Sequence, residues 1–221
     1  NGEVIMDFDF DAVINRVGTH SSKWDNMQAK YGVSPETGIA MWVADMDFMP
    51  PPAVNGVVRQ AATHGVHGYF GDDGDYRQAL IGWMQRRHNW YVQSDWIINA
   101  HGLGSAIGTC LQAFSEAGDG VIIFSPVYHA FARIINANGR QVIESPLVDR
   151  NSRYHMDLDH LETQLTGNEK ILLFCSPHNP GGRVWDKQEL MALAAFCDKN
   201  NLILISDEVH NDIVFAPAKH S

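Results

Sequence analysis

Residues 171–182 read ILLFCSPHNPGG, an apolar run of strand length that ends in a polar turn rich in proline and glycine. A second such run is LILISDEVH at residues 202–210, where an acidic pair and a histidine follow the apolar residues. Short apolar runs without polar alternation are typical of strands covered on both faces, as in a parallel sheet. The two stretches therefore predict an α/β fold that carries polar residues at its strand ends.

The chain repeats this rhythm from Asp95 onward. Apolar runs predict strands at residues 96–100, 121–124, 141–143, 171–175 and 202–206. Amphipathic stretches between them predict helices at residues 103–117, 128–137, 157–165 and 187–199, and two earlier helices are predicted at 53–63 and 76–88. Strands that alternate with helices indicate a mainly parallel sheet with helices on both faces.

The first fifty residues show neither the apolar strand-like runs nor the amphipathic helical pattern of the later chain. Three consecutive prolines, Pro50 to Pro52, mark the boundary of this segment. We interpret residues 1–50 as an N-terminal arm that packs on something else. Residues 51–221 then form a single larger α/β domain, because no internal repeat or low-complexity linker interrupts them.

Composition narrows the classes of function. The 221 residues contain 16 Lys and Arg against 26 Asp and Glu, a formal net charge of -10, which disfavours nucleic acid or an anionic membrane surface as a partner. Cys110, Cys175 and Cys197 form no paired framework, which favours a reducing compartment. Since no signal peptide or membrane span is recognised, we expect a cytoplasmic protein.

Ligands of open α/β sheets bind outside the carboxyl ends of the strands. Four polar turns follow the predicted strands at that edge: HGLGS at 101–105, SPVY at 125–128, SPHNPGG at 176–182 and DEVH at 207–210. Because parallel strands end at the same edge, one site could collect all four turns.

The first two turns suggest phosphate and ring binding. Leu103, Gly104 and Ser105 open a predicted helix, whose free N–H groups and dipole favour a phosphate. Two spaced glycines are equally consistent with an ordinary tight turn. Tyr128 could stack on a flat heteroaromatic cofactor, although a core tyrosine with its hydroxyl in solvent explains the residue as well.

The last two turns carry a fixed amide and a carboxylate. Asn179 lies between Pro177 and Pro180, which restrict the backbone, so its side chain is suited to a directed hydrogen bond. A purely structural turn is the alternative. Asp207 emerges from a run expected to be buried and so requires a partner: a protonated ring nitrogen, a protein cation or a helix cap. A metal site with Glu208 and His210 is disfavoured because adjacent residues on a strand point to opposite faces.

The order of these turns resembles the class I/II aminotransferase superfamily of fold-type I pyridoxal-phosphate enzymes. Within it, WVADMDF at residues 42–48 and the histidine of DEVH resemble the MalY/PatB-type branch of cystathionine β-lyases. Lys23-Trp24-Asp25 and the segment Gly65 to Tyr69 also fit that branch.

The resemblance implies pyridoxal 5′-phosphate as the cofactor and a role for each turn residue. The amides of Leu103, Gly104 and Ser105 would hold its phosphate, and Tyr128 would stack on its ring. Asn179 would bond the phenolic oxygen and lie near the substrate, Asp207 would pair with the ring nitrogen, and His210 would lie near the phenolic edge with its task left open. Ala44 and Asp45 would lie beside an amino-acid substrate, and Tyr69 would reach the cofactor phosphate of a second subunit in a homodimer with shared active sites.

The resemblance also implies residues that the chain does not contain. The family's Schiff-base lysine follows the Asp207 position in a later Ser-Lys motif, and Lys219 lies in a Lys-His-Ser stretch that precedes it. We therefore expect residues 1–50 to include part of a small domain, residues 51–221 to be an incomplete cofactor-binding domain, and this chain alone to be inactive.

The expected activity of the full-length enzyme is β-elimination on L-cystathionine or other cysteine S-conjugates, which gives a thiol, pyruvate and ammonia. An aminotransferase on the same scaffold is the first alternative. A non-catalytic protein that keeps the cofactor-binding fold, with a binding or regulatory role, is the second.

Overall fold

The structure, a computed structural model, describes residues 8–221, so the first seven residues of the predicted arm lie outside it. The chain forms two compact units, which divide after Gly71. The assignment of residues 1–50 to an arm and residues 51–221 to a cofactor-binding domain remains a prediction. Within residues 8–221, no helix combines the length and the apolar character that crossing a membrane requires.

Within residues 8–71 of the first unit lie three helices: α1 (Ser22–Asp25), α2 (Met27–Tyr31) and α3 (Pro52–His64). The two short helices were not predicted, since α1 and α2 are only four and five residues long and leave no clear periodicity. Helix α3 matches the prediction of residues 53–63 within one residue at each end. Helix α3 begins at Pro52, the first helical position, where a backbone N–H would have no partner within the helix and its absence in proline costs nothing. It ends before Gly65, whose positive φ of 73° glycine adopts easily.

The second unit contains the sheet and the remaining helices. In chain order its elements are α4 (Gly74–His88), a 3-10 turn (Ser94–Trp96), α5 (Leu103–Phe114), β1 (Gly120–Ser125), α6 (Ala130–Ala137), β2 (Gln141–Pro146), β3 (Val148–Asp149), β4 (Tyr154–His155), α7 (Leu158–Gln164), β5 (Glu169–Cys175), α8 (Lys187–Lys199) and β6 (Ile203–Asp207). Strands β3 and β4 form a small antiparallel pair.

The main sheet has the strand order β2-β1-β5-β6, and every neighbouring pair is parallel. Alternate residues of β1 and β5 enter two separate cores. On one face Phe124 and Phe174 pack with Leu193 of α8 and with α7, and on the other face Ile123 and Leu173 pack with α5 and α6. Burial of each such side chain stabilises the fold by roughly 1.5–3 kcal/mol. The predicted parallel sheet with helices on both faces is confirmed.

The predicted strand at residues 96–100 is wrong. A 3-10 turn covers Ser94–Trp96, and Ile97 continues with an extended backbone that pairs with no strand among residues 8–221. Ile98 is 88% exposed. A run of apolar residues becomes a strand only when a neighbour supplies the hydrogen-bond ladder, and this requirement is invisible in the run itself.

Helix α5 ends at Phe114, three residues before its predicted end at residue 117. Ser115 is extended, and its hydroxyl donates to the Leu111 carbonyl at 2.6 Å. The Arg140 guanidinium in turn donates to the Ser115 side chain at 3.0 Å. The Ser115 N–H donates to the same Leu111 carbonyl at 3.2 Å, so Ser115 caps the last turn of the helix with both groups.

A cluster of ion pairs organises the first unit around a buried lysine. Lys23 is 5% exposed, and its Nζ lies 2.6 Å from Asp47 Oδ2 and 2.8 Å from the Asp45 carbonyl oxygen. Arg16 donates to both Asp45 oxygens, at 3.0 and 2.8 Å, and to Asp47 at 2.7 Å. The Trp24 indole N–H also donates to Asp47, at 2.9 Å.

These bonds stabilise the charged form of both carboxylates. The Lys23 ammonium and then the Trp24 indole hold the pKa of Asp47 well below its ordinary value of 3.8, and Arg16 lowers the pKa of Asp45. The tryptophan and lysine of Lys23-Trp24-Asp25 therefore hold the carboxylates of the WVADMDF segment in place.

We predict that Asp47→Asn lowers the free energy of unfolding of the intact protein at pH 7 by about 1–2 kcal/mol. The change removes one partner of a buried cation, and the partial exposure of Asp47 reduces the cost below that of a fully buried pair. Because the folded pKa is lowered, the carboxylate stabilises the wild type above the unfolded pKa of 3.8 and loses this effect as pH falls towards the folded pKa.

Thermal unfolding of both proteins between pH 7 and pH 3 measures this effect. The difference in melting temperature between wild type and Asp47→Asn should be constant above about pH 5 and should become smaller below about pH 4. Glu36→Gln is the control, since no described residue pairs with that carboxylate. A gap that does not narrow in acid would contradict the role of the Asp47 charge.

Candidate functional site

The carboxyl ends of β1, β5 and β6 lie side by side, because these strands are neighbours in the sheet and run parallel. Two hydrogen bonds join the turns that follow them. His178 Nε2 lies 2.8 Å from the Pro126 carbonyl oxygen, and the Ser176 N–H donates to the Asp207 carbonyl at 2.9 Å. The structure thus brings together three of the four predicted turns, those of Tyr128, Asn179 and Asp207.

The remaining predicted turn, HGLGS at residues 101–105, leads into helix α5, which covers one face of β1 and β5. Its N-cap residue is Gly102, with a φ of 82° and no side chain to accept from the first N–H groups. The first hydrogen bond of the helix runs from the Ala106 N–H to the Gly102 carbonyl at 3.2 Å. The N–H groups of Leu103, Gly104 and Ser105 therefore have no partner among the described residues, which suits an anionic group.

Tyr128 lies in the turn between β1 and α6, before the helix that was predicted to begin at this residue. Its carbonyl accepts from the Phe131 N–H at 3.0 Å, and α6 begins at Ala130 with His129 as its N-cap. The ring packs edge to face on His129 and Phe131, with centroids 4.9 and 5.9 Å away. The side chain is 42% exposed, which leaves part of the ring open for stacking.

Asn179 lies in a short closed loop. The His178 N–H donates to the Arg183 carbonyl at 2.8 Å, and the Gly182 N–H donates back to the His178 carbonyl at 2.8 Å. Gly182 has a φ of 65°, a left-handed conformation that glycine adopts without steric cost. The Asn179 N–H donates to Cys175 Sγ at 3.3 Å, whereas its side-chain amide has no hydrogen-bond partner among residues 8–221.

His210 shares a pocket of about 400 Å³ with this loop. Pro177, His178 and Asn179 line one side, and His210 and Phe215 line another. The predicted proximity of Asn179 and His210 to one ligand is therefore compatible with the geometry, and it remains a prediction.

Asp207 ends β6, which pairs only with β5 among residues 8–221, and in this part of the protein Ile203 and Leu204 are each 39% exposed. The expectation that β6 is a buried strand of the complete domain stays a prediction. One oxygen of Asp207 accepts from the Val209 N–H at 3.1 Å. Burial, with a smaller effect of the nearby Asp207 charge, raises the pKa of the Cys175 thiol to about 11, which places this carboxylate near the end of β5.

Glu208, the second acid of the pair, is engaged elsewhere. It accepts from the Ser206 hydroxyl at 2.9 Å and lies 3.0 Å from His220 Nε2. Asp207 has no cation within salt-bridge distance among residues 8–221. Of the partners considered for Asp207, a protein cation is therefore not observed in the described part of the chain.

Three predicted site residues belong to the first unit. Asp45 is held by Arg16 and Lys23, so its carboxylate is already paired, and Ala44 precedes it in the same segment. Tyr69 is fully exposed. Their predicted roles beside the substrate and at a second subunit's phosphate remain predictions.

Two residues of the SPHNPGGR stretch received no role from the sequence. His178 is 2% exposed, and Arg183 is 6% exposed and lies over the Trp185 ring at 4.4 Å. Arg183 also donates to the Tyr154 carbonyl at 2.7 Å and pairs with Glu189, which forms a capping box with Asp186 at the start of α8. In the sequence, the only indication of these Arg183 contacts was a charged residue directly after the glycine pair Gly181-Gly182.

Comparison with known proteins shows which family the whole chain resembles. The chain is 37% identical to cystathionine β-lyase PatB of Bacillus subtilis (strain 168) over 213 residues, 96% of this chain and 54% of that protein. The fold matches the crystal structure of cystalysin from Treponema denticola, which contains a pyridoxal 5′-phosphate cofactor, with a TM-score of 0.90 and 39% identity over 98% of this chain and 55% of that one.

A third relative is the pyridoxal-phosphate-bound C-S lyase from Staphylococcus hominis, with a TM-score of 0.89 and 29% identity. This match covers 99% of the present chain and 56% of the lyase. The chain thus spans about half the length of the relatives it matches.

The resemblance that the turns and the WVADMDF segment suggested is confirmed by these matches. The family model for aminotransferase class I and II matches residues 37–221, which include every strand and all but two of the helices described above. The chain belongs to the class I and II aminotransferase family.

Proposed function

We propose that this chain is part of a pyridoxal-phosphate-dependent carbon–sulfur lyase that performs β-elimination on L-cystathionine or related cysteine S-conjugates. The observation that carries the proposal is the convergence of Tyr128, Asn179 and Asp207 at one sheet edge, in a chain 37% identical to a cystathionine β-lyase over 96% of its length.

The residues at this edge fit the proposed cofactor. Three free N–H groups at the start of α5 suit its phosphate, and the half-open Tyr128 ring suits its flat heterocycle. The side-chain amide of Asn179, without a partner among the described residues, suits the phenolic oxygen. When bound, pyridoxal phosphate supplies an electron sink that stabilises negative charge at the substrate Cα.

Asp207 performs the electrostatic part of the proposed function. Its carboxylate has no cationic partner among residues 8–221 and is partly accessible, so it can accept a charge-assisted hydrogen bond from a protonated ring nitrogen. In that position the Asp207 carboxylate would keep the proton on the ring nitrogen. The Val209 N–H keeps the carboxylate oriented.

The substrate and the assembly are proposed from the family resemblance. Ala44 and Asp45 lie beside the substrate, where the Arg16 and Lys23 bonds would hold their segment in one conformation. Tyr69 reaches the phosphate of a second subunit in a homodimer, a role that its full exposure allows. His210 lies near the phenolic edge, beside the pocket that it shares with Asn179.

We predict that Asp207→Asn weakens cofactor binding about 10- to 100-fold, because a hydrogen bond between charged partners contributes about 1.5–3 kcal/mol. Asparagine keeps the shape and an oxygen for the Val209 N–H but carries no charge. The elimination rate should fall by orders of magnitude. Equilibrium dialysis of pyridoxal phosphate and the rate of pyruvate release measure the two effects.

Glu208→Gln is the matched control, since it neutralises the adjacent carboxylate, which pairs with His220. It should bind the cofactor with the affinity of the wild type. Equal losses in both variants would remove Asp207 from its assigned place at the ring nitrogen.

The reaction type is tested separately. With L-cystathionine, the intact enzyme should release pyruvate and homocysteine without any added keto acid, because elimination consumes no amino acceptor. Lactate dehydrogenase coupling and a thiol reagent measure the two products. If turnover requires a keto acid, the protein is an aminotransferase, the activity for which its family is named.

A protein that binds pyridoxal phosphate but turns over no amino acid would support the non-catalytic alternative. This outcome is distinguished from misfolding by the cofactor affinity itself, which should then equal that of an active relative.

A further inference from the structure

His178 is a buried titratable side chain at the centre of the strand-end turns, and the proposed chemistry does not use it. It is 2% exposed, and its Nε2 lies 2.8 Å from the Pro126 carbonyl oxygen. Its Nδ1 is buried and has no hydrogen-bond partner among the described residues. Tyr128 follows Pro126 by two residues, and Asn179 directly follows His178.

The position of the ring proton follows from these contacts. Burial lowers the pKa of His178, although the carbonyls of Pro126 and Cys175 favour the protonated ring, so the imidazole is neutral at pH 7. The Pro126 carbonyl, 2.8 Å from Nε2, can only accept, whereas the Cys175 carbonyl already accepts from the Trp185 indole N–H at 3.0 Å and makes no hydrogen bond with Nδ1. Nε2 therefore carries the hydrogen and donates it to Pro126. Nδ1 then carries a buried lone pair that has no hydrogen-bond partner among residues 8–221.

The ring is held so that this bond has a fixed direction. The backbone of His178 closes the loop through Arg183 and Gly182, each at 2.8 Å. Trp185 packs edge to face on the ring, with centroids 5.7 Å apart. A Cβ at Gly181 would lie 3.2 Å from His178 Cδ2 and 2.9 Å from the Tyr154 ring, so only glycine leaves room here.

Packing alone does not account for an imidazole at this position. A buried acceptor without a partner disfavours the folded state, and an apolar ring of similar shape would avoid this cost. What an apolar ring cannot supply is the donor to Pro126. The hydrogen bond between the two turns is therefore the property that distinguishes histidine here.

We propose that His178 is a positioning residue, which ties the turn of Tyr128 to the turn of Asn179 through its Nε2–H bond to the Pro126 carbonyl. Its consequence for ligand binding rests on the proposed function: the bond sets the spacing between the ring that stacks on the cofactor and the amide that bonds its phenolic oxygen. The proposed role of His178 is exerted through this bond and not through a contact of its ring with the reacting atoms.

Two substitutions separate this role from a general effect on folding. In His178→Gln the side-chain N–H₂ reaches the position of Nε2, whereas in His178→Asn the amide is one methylene shorter and reaches only the position of Nδ1. Both side chains are polar amides of similar burial cost. Rescue by Gln but not by Asn is therefore specific to the bond with Pro126.

We predict that His178→Asn weakens pyridoxal phosphate binding about 3- to 10-fold, the effect of one neutral hydrogen bond, while His178→Gln stays within about twofold of the wild type. Hydrogen exchange of the cofactor-free intact protein should show faster exchange at residues 127–131 in the Asn variant only. Nitrogen-15 NMR of histidine-labelled wild type should show His178 protonated at Nε2 and not at Nδ1, with its signals assigned by their loss in the Gln variant.

Three results would overturn the proposal. A proton on Nδ1 would mean that His178 does not donate from Nε2 as described. Equal behaviour of the Gln and Asn variants, both near wild type, would show that the bond to Pro126 has no effect on the turns. Equal impairment of both, with equal losses of melting temperature, would assign His178 a packing role alone.

The proposed function can fail independently of this inference. If the wild type binds no pyridoxal phosphate, the cofactor assignment is wrong. The exchange and NMR measurements need no cofactor, and they still decide whether His178 couples the two turns.

Discussion

The covering of β1 and β5 on both faces is the constraint on which the rest of the structure depends. Alternate residues of each strand enter two cores, one with α7 and α8 and the other with α5 and α6. A polar side chain inside either strand would be buried without a partner, which is costly. Polar chemistry is therefore confined to the strand ends, and parallel pairing places three of these ends side by side.

The turn after β5 shows how the chain keeps such an end rigid. Proline and glycine shape the loop, the backbone of His178 closes it, and Arg183 joins it to Tyr154 and to the start of α8. The loop also accepts no added carbon at Gly181. Asn179 therefore lies in a loop whose backbone conformation is fixed by these contacts, although its side chain makes no hydrogen bond with residues 8–221. Such preorganisation reduces the entropy lost on binding a ligand.

In the first unit, ion pairs and hydrogen bonds hold the WVADMDF segment, whereas apolar packing holds the strands of the second unit. Lys23 is buried at the centre of two aspartates, an arginine and the indole N–H of Trp24, and the WVADMDF segment is held through these bonds. Removing one partner leaves a buried charge, so the cluster acts as a set and not as separate surface pairs. A segment with few apolar contacts can therefore have one defined conformation.

The amino-acid sequence by itself determined the parallel sheet with helices on both faces, most element positions and the turns that carry Tyr128, Asn179 and Asp207. Hydrophobic periodicity and turn residues are local patterns, which can be recognised within a short segment of sequence. Only the tertiary structure decided that residues 96–100 form no strand and that His178 bonds Pro126 across 52 positions of the chain. Strand pairing and long-range hydrogen bonds depend on which segments become neighbours in space, and no pattern within a single segment encodes that.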